Sequence, residues 1–146
     1  MGDAPGRYRI LPHTADGKFQ AYGATLEETF GNAALALASL MWEWEKVEPR
    51  TRYSVRVRAR DLEQLLVKFL GEVVYLFETR RFLLAEATSL TIETGEAESS
   101  IEATFLGDSL SDRYELHGAV KAVTYHEMRI EDSDCGGYTV QVVVDM

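Results

Sequence analysis

Hydrophobic and polar residues recur with two different periods along the chain, and these periods predict helices and strands. In two stretches, apolar residues recur every three or four positions, which is the spacing of a helix with a buried face. The first helix is predicted to begin at Thr25, which forms a capping-box pattern with Glu28, and the second at Asp61, with Gln64. The apolar stripe of the first helix ends near Leu40.

Alternation with a period of two predicts strands in most of the remaining chain. In residues 52–58, for example, Tyr53, Val55 and Val57 alternate with polar residues. The other predicted strands cover residues 8–11, 18–22, 82–86, 89–93, 100–106, 119–130 and 138–144. Because several strands follow one another without a helix, we expect an α+β fold with two main helices packed on mostly antiparallel sheet.

The chain, residues 1–146, is predicted to form a single domain. It has no internal repeat, low-complexity tract or Pro/Gly linker, and its length suffices for one hydrophobic core. The single cysteine, Cys135, has no partner for an internal disulfide, which suits a reducing cytoplasm. No segment has the pattern of a signal peptide or a transmembrane helix, so we expect a cytoplasmic protein without a membrane partner.

The chain is acidic, with 15 Lys and Arg against 24 Asp and Glu and a formal net charge of −9. That charge repels phosphate groups, so we expect no tight independent binding of nucleic acid. Arginines at positions 50, 52, 56, 58 and 60 suit a local patch for an acidic protein surface or for RNA, although such a row is more often solvated. A plain RNA-binding module therefore stays an alternative.

Two acidic positions are candidates for a cation site. Asp16 lies in a predicted turn after His13, and Asp145 directly precedes Met146 and its terminal carboxylate. If these positions meet, Asp16, Asp145 and the Met146 carboxylate supply hard oxygen ligands with three negative charges, a set that suits Ca²⁺ or Mg²⁺. The residues by themselves favour a frayed acidic terminus over such a site, since chain termini are usually poorly ordered.

Common enzyme signatures are absent from the sequence. It contains no P-loop, no GxGxxG, no Gly-x-Ser-x-Gly and no paired-cysteine zinc pattern. A free-standing metal-dependent hydrolase using Asp16 and Asp145 is an alternative that requires an open coordination position and a nearby base. His13 is the base nearest to these residues in the sequence.

Lys121 is a candidate contact residue. In the predicted strand 119–130, alternation places Lys121, Val123 and Tyr125 on one face and Thr124 and His126 on the other. A lysine at this position can neutralise a phosphate or a carboxylate across an interface. The residues by themselves favour a solvated lysine, which is the commoner case.

Several segments together resemble the archease family. The segments are His-Thr-Ala-Asp at 13–16, residues 21–28, Val-Lys-Ala-Val-Thr-Tyr-His at 120–126, and Val-Val-Val-Asp-Met at 142–146. Residues 32–37 and 61–66 also resemble the two helices of the family. The resemblance therefore runs over nearly the whole chain, in the family's order and spacing.

The resemblance implies an accessory protein rather than an enzyme. Archease proteins help an RtcB-type RNA ligase, which joins tRNA exon halves, to become guanylylated from GTP and to turn over repeatedly. The resemblance further implies that Asp16, Asp145 and Met146 bind a cation, usually calcium, and that Lys121 is needed for activation. His13 is then a neighbour of the metal ligands. The alternative partner for this family is a tRNA methyltransferase, for which the protein acts as a chaperone or specificity modulator.

The chain departs from the family pattern around this proposed site. Gly17 and Lys18 follow Asp16 where the family commonly has an aliphatic residue, and Met146 stands where the family commonly ends in an aliphatic residue. An ammonium close to Asp16 would weaken cation binding through charge repulsion. Strand alternation places Lys18 and Phe19 on opposite faces without deciding which face carries the site.

Overall fold

The computed structural model describes residues 6–12, 16–132 and 136–146. The elements are β1 (Tyr8–Leu11), β2 (Gly17–Gly23), α1 (Leu26–Ser39), β3 (Thr51–Ala59), α2 (Leu62–Arg80), β4 (Phe82–Thr94), β5 (Ser99–Ser109), β6 (Ala122–Val123), β7 (Arg129–Asp132) and β8 (Tyr138–Asp145). One antiparallel sheet has the order β1-β2-β8-β6, with β7 also paired to β8, and the other has the order β3-β5-β4. The predicted α+β class is confirmed.

Both helices begin where their capping residues predict. The Thr25 hydroxyl accepts a hydrogen bond from the Glu28 amide at 3.0 Å, and the Asp61 carboxylate accepts one from the Gln64 amide at 2.8 Å. The return bond of the capping box differs from the prediction, since the Glu28 carboxylate accepts from the amide of Ala24 at 3.0 Å rather than from that of Thr25. Each cap supplies a partner for an amide that lacks one inside the helix.

Helix α1 is buried more completely than a single apolar stripe predicts. Gly31, Leu35 and Ala36 are buried together with the predicted face. The reason is that α1 contacts β2 of one sheet and β4 of the other, and the Glu27 carboxylate accepts a hydrogen bond from the Ile92 amide of β4 at 3.2 Å. Its many alanines allow this close approach on two sides.

Helix α2 packs on the three-stranded sheet, as its broad apolar face predicts. Phe69 lies at the centre of this contact, with its ring centroid 5.4 Å from that of Phe105 on β5 and 6.1 Å from that of Phe30 on α1. No helix among the described residues is long and apolar enough to cross a membrane.

Strand β4 replaces two predicted strands. Residues 82–86 and 89–93 belong to one strand that pairs with β5 throughout. The alternation of apolar and polar residues is interrupted by a shift of register. Thr88 pairs with Thr104 and Thr91 pairs with Glu102, so β4 has two residues between these pairs where β5 has one. Ser89 has a φ of 51° at this point, so a β-bulge, rather than a turn, breaks the alternation.

The predicted strand 119–130 is wrong as a continuous element. Residues 122–123 and 129–132 form β6 and β7, which pair with opposite ends of β8. Between them the chain turns outward, with the Met128 amide donating to the Tyr125 carbonyl at 3.1 Å and Glu127 at a φ of 52°. Alternation therefore ends before Tyr125, which is 50% exposed.

A polar cluster fastens the segment that leads from β5 towards β6. The Tyr114 hydroxyl donates to Asp108 Oδ2 at 2.7 Å and accepts from the Glu48 amide at 3.2 Å. The Tyr114 hydroxyl, then the Ser109 amide and the Arg50 guanidinium, hold the pKa of Asp108 below its usual value against the opposing effect of burial. The ionised form of Asp108 thus stabilises the position of this segment.

We expect Tyr114→Phe to destabilise the protein more at pH 7 than at pH 3. A carboxylate with a lowered pKa contributes stability above its unfolded pKa of about 4, and this contribution disappears as the pH falls through the folded pKa. The loss at pH 7 should be about 1 kcal/mol, the usual net contribution of a hydrogen bond. Urea unfolding of the wild type and the variant at both pH values measures this difference in the free energy of unfolding.

Tyr75→Phe is the matched control, because Tyr75 is 57% exposed. Its substitution should change the free energy of unfolding only slightly at both pH values. Equal destabilisation of Tyr114→Phe at pH 7 and pH 3 would contradict the role given to the Asp108 carboxylate.

Candidate functional site

The pairing of β2 with β8 brings the predicted cation ligands together. Gly17, the first residue of β2, pairs with Val144 of β8. Asp16 directly precedes Gly17 and Asp145 directly follows Val144, so both aspartates lie at the end where this ladder stops. Met146 follows directly, and we call Asp16, Asp145 and Met146 the acidic end.

Lys121 also lies at the acidic end, because β6 pairs with the other edge of β8. The Lys121 amide donates to the Asp145 carbonyl at 2.8 Å, and Ala122 pairs with Asp145. The side chains of Lys121 and Asp145 are exposed, and Met146 is 38% exposed. Within residues 6–12, 16–132 and 136–146, Lys121 forms no salt bridge. His13, the remaining predicted site residue, lies outside the described residues.

Lys18 is paired with a carboxylate that the sequence pattern does not reveal. Its ammonium Nζ lies 2.8 Å from Glu127 Oε1, a residue 109 positions further along the chain. Lys18 pairs with Val143, which lies on the same face of β8 as Asp145. The ammonium is therefore on the side of the sheet that carries Asp145, and Glu127 offsets much of its charge.

Glu127 is held over the sheet by a chain of side-chain amides. The Gln141 amide Nε2 donates to the Glu127 carbonyl at 2.9 Å, and the Gln20 amide Nε2 donates to Gln141 Oε1 at 3.0 Å. Gln141 is 7% exposed. Since buried amides favour fixed hydrogen-bond partners, these contacts keep the turn between β6 and β7 close to Lys18.

The C-terminal end of α1 lies behind the acidic end. Leu40 caps this helix, and its Cδ1 atom would lie 2.9 Å from a Cβ added at Gly17. The last turn of α1 has no basic residue, and a ring nitrogen of His117 lies 2.9 Å from the Ser39 carbonyl. The last carbonyls of a helix carry partial negative charge, so they add to the field of the carboxylates.

The acidic end has ligands of the type that a hard cation prefers. Residues 6–12, 16–132 and 136–146 contain no cluster of three or more His, Cys, Asp or Glu side chains able to hold a metal. The last pair of the β2–β8 ladder, Gly17 with Val144, instead leaves the side-chain carboxylates of Asp16 and Asp145 and the terminal carboxylate of Met146 at the same end of the sheet. Three carboxylates in one place repel each other, and their oxygens match the preference of Ca²⁺ and Mg²⁺.

The arginines of β3 are not part of the acidic end. Strand β3 is an edge of the three-stranded sheet, on which Arg56 pairs with Glu102 of β5. Arg50 pairs with Glu48 at 2.7 Å. Charged side chains along an edge strand oppose pairing with other chains. This role explains the row of arginines on β3 without any need for a bound ligand.

A groove of about 890 Å³ lies at the other end of the β2–β8 pair. Tyr22 and Tyr138 line it, and Gly23 pairs with Tyr138 at that end. Among its polar groups, the Asn32 amide Nδ2 donates to the Tyr22 carbonyl at 2.7 Å. Asp16, Lys121, Asp145 and Met146 therefore lie at the opposite end of the pair from this groove.

Comparison with known families gives one family model, the Archease protein family, which matches residues 8–146. Protein archease of Methanosarcina mazei is 40% identical to this chain, and the match covers 96% of both chains. Protein archease of Pyrobaculum neutrophilum is 43% identical, and the match covers 97% of both chains. These relatives thus resemble the chain over nearly its whole length.

A solved structure gives the same result for the fold. The solution structure of Methanobacterium thermoautotrophicum protein 1598 superimposes with a TM-score of 0.81 at 30% sequence identity. The match covers 96% of this chain and 99% of that one.

Proposed function

This chain belongs to the archease family, and we propose that it is an accessory protein that activates an RtcB-type tRNA-splicing RNA ligase. In this proposal the ligase carries out the chemistry, and the present protein promotes its guanylylation from GTP and its multiple turnover in the cytoplasm. The observation that carries the proposal is the meeting of Asp16, Asp145, Met146 and Lys121 at one end of a sheet.

The form of this end supports a contact surface rather than an enclosed catalytic site. Lys121 and Asp145 are exposed, and the 890 Å³ groove lies at the opposite end of the β2–β8 pair. A free-standing hydrolase would have to hold its substrate and a base around the carboxylates. An exposed set of charges is instead suited to entering the site of another protein.

The acidic end is proposed to bind Ca²⁺, or another hard divalent cation such as Mg²⁺. Asp16, Asp145 and the terminal carboxylate of Met146 would hold it, and the cation would supply positive charge that relieves their mutual repulsion. Asp145 is held by its pairing with Ala122 of β6, and Asp16 directly precedes the first paired residue of β2, so the fold brings both residues to one end of the sheet.

Lys121 is proposed to act on the ligase rather than on the cation. Its backbone is fixed by the bond to the Asp145 carbonyl, while its side chain remains exposed. An activator shifts an equilibrium only if it binds the competent state more tightly than the other. A lysine held beside the acidic end can make such a state-specific contact with a phosphate or carboxylate of the ligase complex.

We expect Lys121→Ala and Asp16→Asn to abolish activation while leaving the protein folded. Ligation of a tRNA-half substrate by the cognate ligase, measured with and without this protein over single and multiple turnovers, tests this. Wild-type protein should raise the multiple-turnover rate by about tenfold or more, which is a common size for allosteric coupling.

Lys46→Ala and Asp112→Asn are matched controls, since both residues are exposed and lie outside the acidic end. Normal activation by Lys121→Ala would remove Lys121 from the mechanism. A wild-type protein that leaves ligation unchanged would contradict the proposal and favour a tRNA methyltransferase as the partner.

We expect Glu127→Gln to weaken Ca²⁺ binding by roughly two- to fivefold, the range of a partly exposed charge pair. Without Glu127 the Lys18 ammonium keeps its full charge on the side of the sheet that carries Asp145. The double variant Lys18→Met with Glu127→Gln should recover the wild-type affinity. Calorimetric titration with Ca²⁺ measures the affinity of the wild type, of Glu127→Gln and of the double variant. If Glu127→Gln alone binds like wild type, Lys18 has no influence on the cation.

A further inference from the structure

The side chain of Met146 lies in a slot between two glycines. A Cβ added at Gly17 would lie 3.0 Å from Sδ of Met146, and one added at Gly118 would lie 3.2 Å from its Cε. Non-bonded carbon atoms prefer separations of about 3.5–4.0 Å. The absence of a side chain at both positions therefore leaves the space that the Met146 thioether occupies.

The slot joins three parts of the chain at the acidic end. Gly17 begins β2 directly after Asp16, and Gly118 lies three residues before Lys121. Leu40, at the end of α1, forms the third wall, since its Cδ1 would lie 2.9 Å from a Cβ at Gly17 and its carbonyl 2.3 Å from one at Gly118. One side chain thus contacts the surroundings of Asp16, of Lys121 and of the helix end.

We propose that Gly17, Gly118 and Met146 form a size-matched anchor that holds the C-terminal carboxylate in place. The last residue of a chain usually frays because few contacts hold it. Here the Sδ and Cε atoms of Met146 lie against Gly17 and Gly118 although the residue as a whole is 38% exposed, and its carboxylate is on the same residue. Met146 is therefore a positioning residue for the acidic end, and only its effect on cation binding rests on the proposed function.

Gly17 and Met146 share a limited space in the anchor. A larger residue at position 17 and methionine at position 146 would compete for the same space. Gly17 does not have a positive φ, so an alanine there tests space and not backbone strain. A Cβ at Gly17 meets the ends of side chains, whereas one at Gly118 meets the backbone carbonyl of Leu40.

Because an added Cβ meets side chains at Gly17 but a backbone carbonyl at Gly118, double variants test the anchor and include an internal control. Met146→Ala empties the slot and Gly17→Ala crowds it, so each should release the terminus. The combined variant removes the contact between these two positions but keeps the contacts of position 17 with Leu40 Cδ1 and Val144 Cγ2, so its effect should be smaller than the sum of the two single effects. Gly118→Ala should not be relieved by Met146→Ala, because the Leu40 carbonyl stays in place.

Hydrogen exchange of the Lys121 amide, followed by NMR, measures the anchor directly because that amide donates to the Asp145 carbonyl. Met146→Ala should speed its exchange by about tenfold through local opening. Asp145→Asn should leave this exchange nearly unchanged. Unchanged exchange in Met146→Ala would overturn the anchor.

Calorimetric titration of the same proteins with Ca²⁺ tests the positioning role. Met146→Ala should weaken binding by about tenfold although every carboxylate remains. Faster exchange with unaltered Ca²⁺ affinity would overturn that role. If wild type binds no Ca²⁺, the cation part of the proposed function fails and the positioning role with it, whereas the exchange data still decide whether the anchor exists.

Discussion

The antiparallel pairing of β2 with β8 is the constraint on which the rest of the molecule depends. It joins segments from the two ends of the chain over seven residue pairs, from Gly17–Val144 to Gly23–Tyr138. Closing so long a loop costs conformational entropy. Burial of apolar side chains along this pair offsets that cost, since Phe19, Val142 and Val144 are each 0% exposed. The remaining strands of this sheet then pair with β2 or β8.

The acidic end is an electrostatic consequence of that pairing. Two aspartates and the chain terminus lie at the end where the ladder stops, and the C-terminal end of α1, with its partial negative charge, lies on the same side of the molecule. Asp145 is exposed and Asp16 is half-buried, so the fold does not bear the large cost of fully burying these charges. The Met146 side chain contributes in a different way, because its apolar contacts are made on the other side of the strand from Asp145.

The turn between β6 and β7 shows how a break in a sheet edge places side chains. Strand β8 could pair with one continuous neighbour, but the chain leaves the edge after Val123 and returns at Arg129. The excursion carries Glu127 to the ammonium of Lys18. An irregular segment is thereby tied to the sheet through Gln141 and Gln20, which combines a fixed position with exposed side chains such as Tyr125.

Local signals in the sequence determined the helix starts at Thr25 and Asp61, the strand faces of 52–58 and the α+β class, because caps and periodicity act between near neighbours. The motif resemblance named Asp16, Asp145, Met146 and Lys121 without placing them. Only the tertiary structure decided that these residues lie at one end of a sheet, that Glu127 pairs with Lys18, and that Met146, Leu40 and Val144 pack beside Gly17. It also decided the bulge at Ser89 and the turn before β7. The physical reason is that register between distant strands follows from the packing of the whole core, whereas a local pattern specifies only which face of each element is buried.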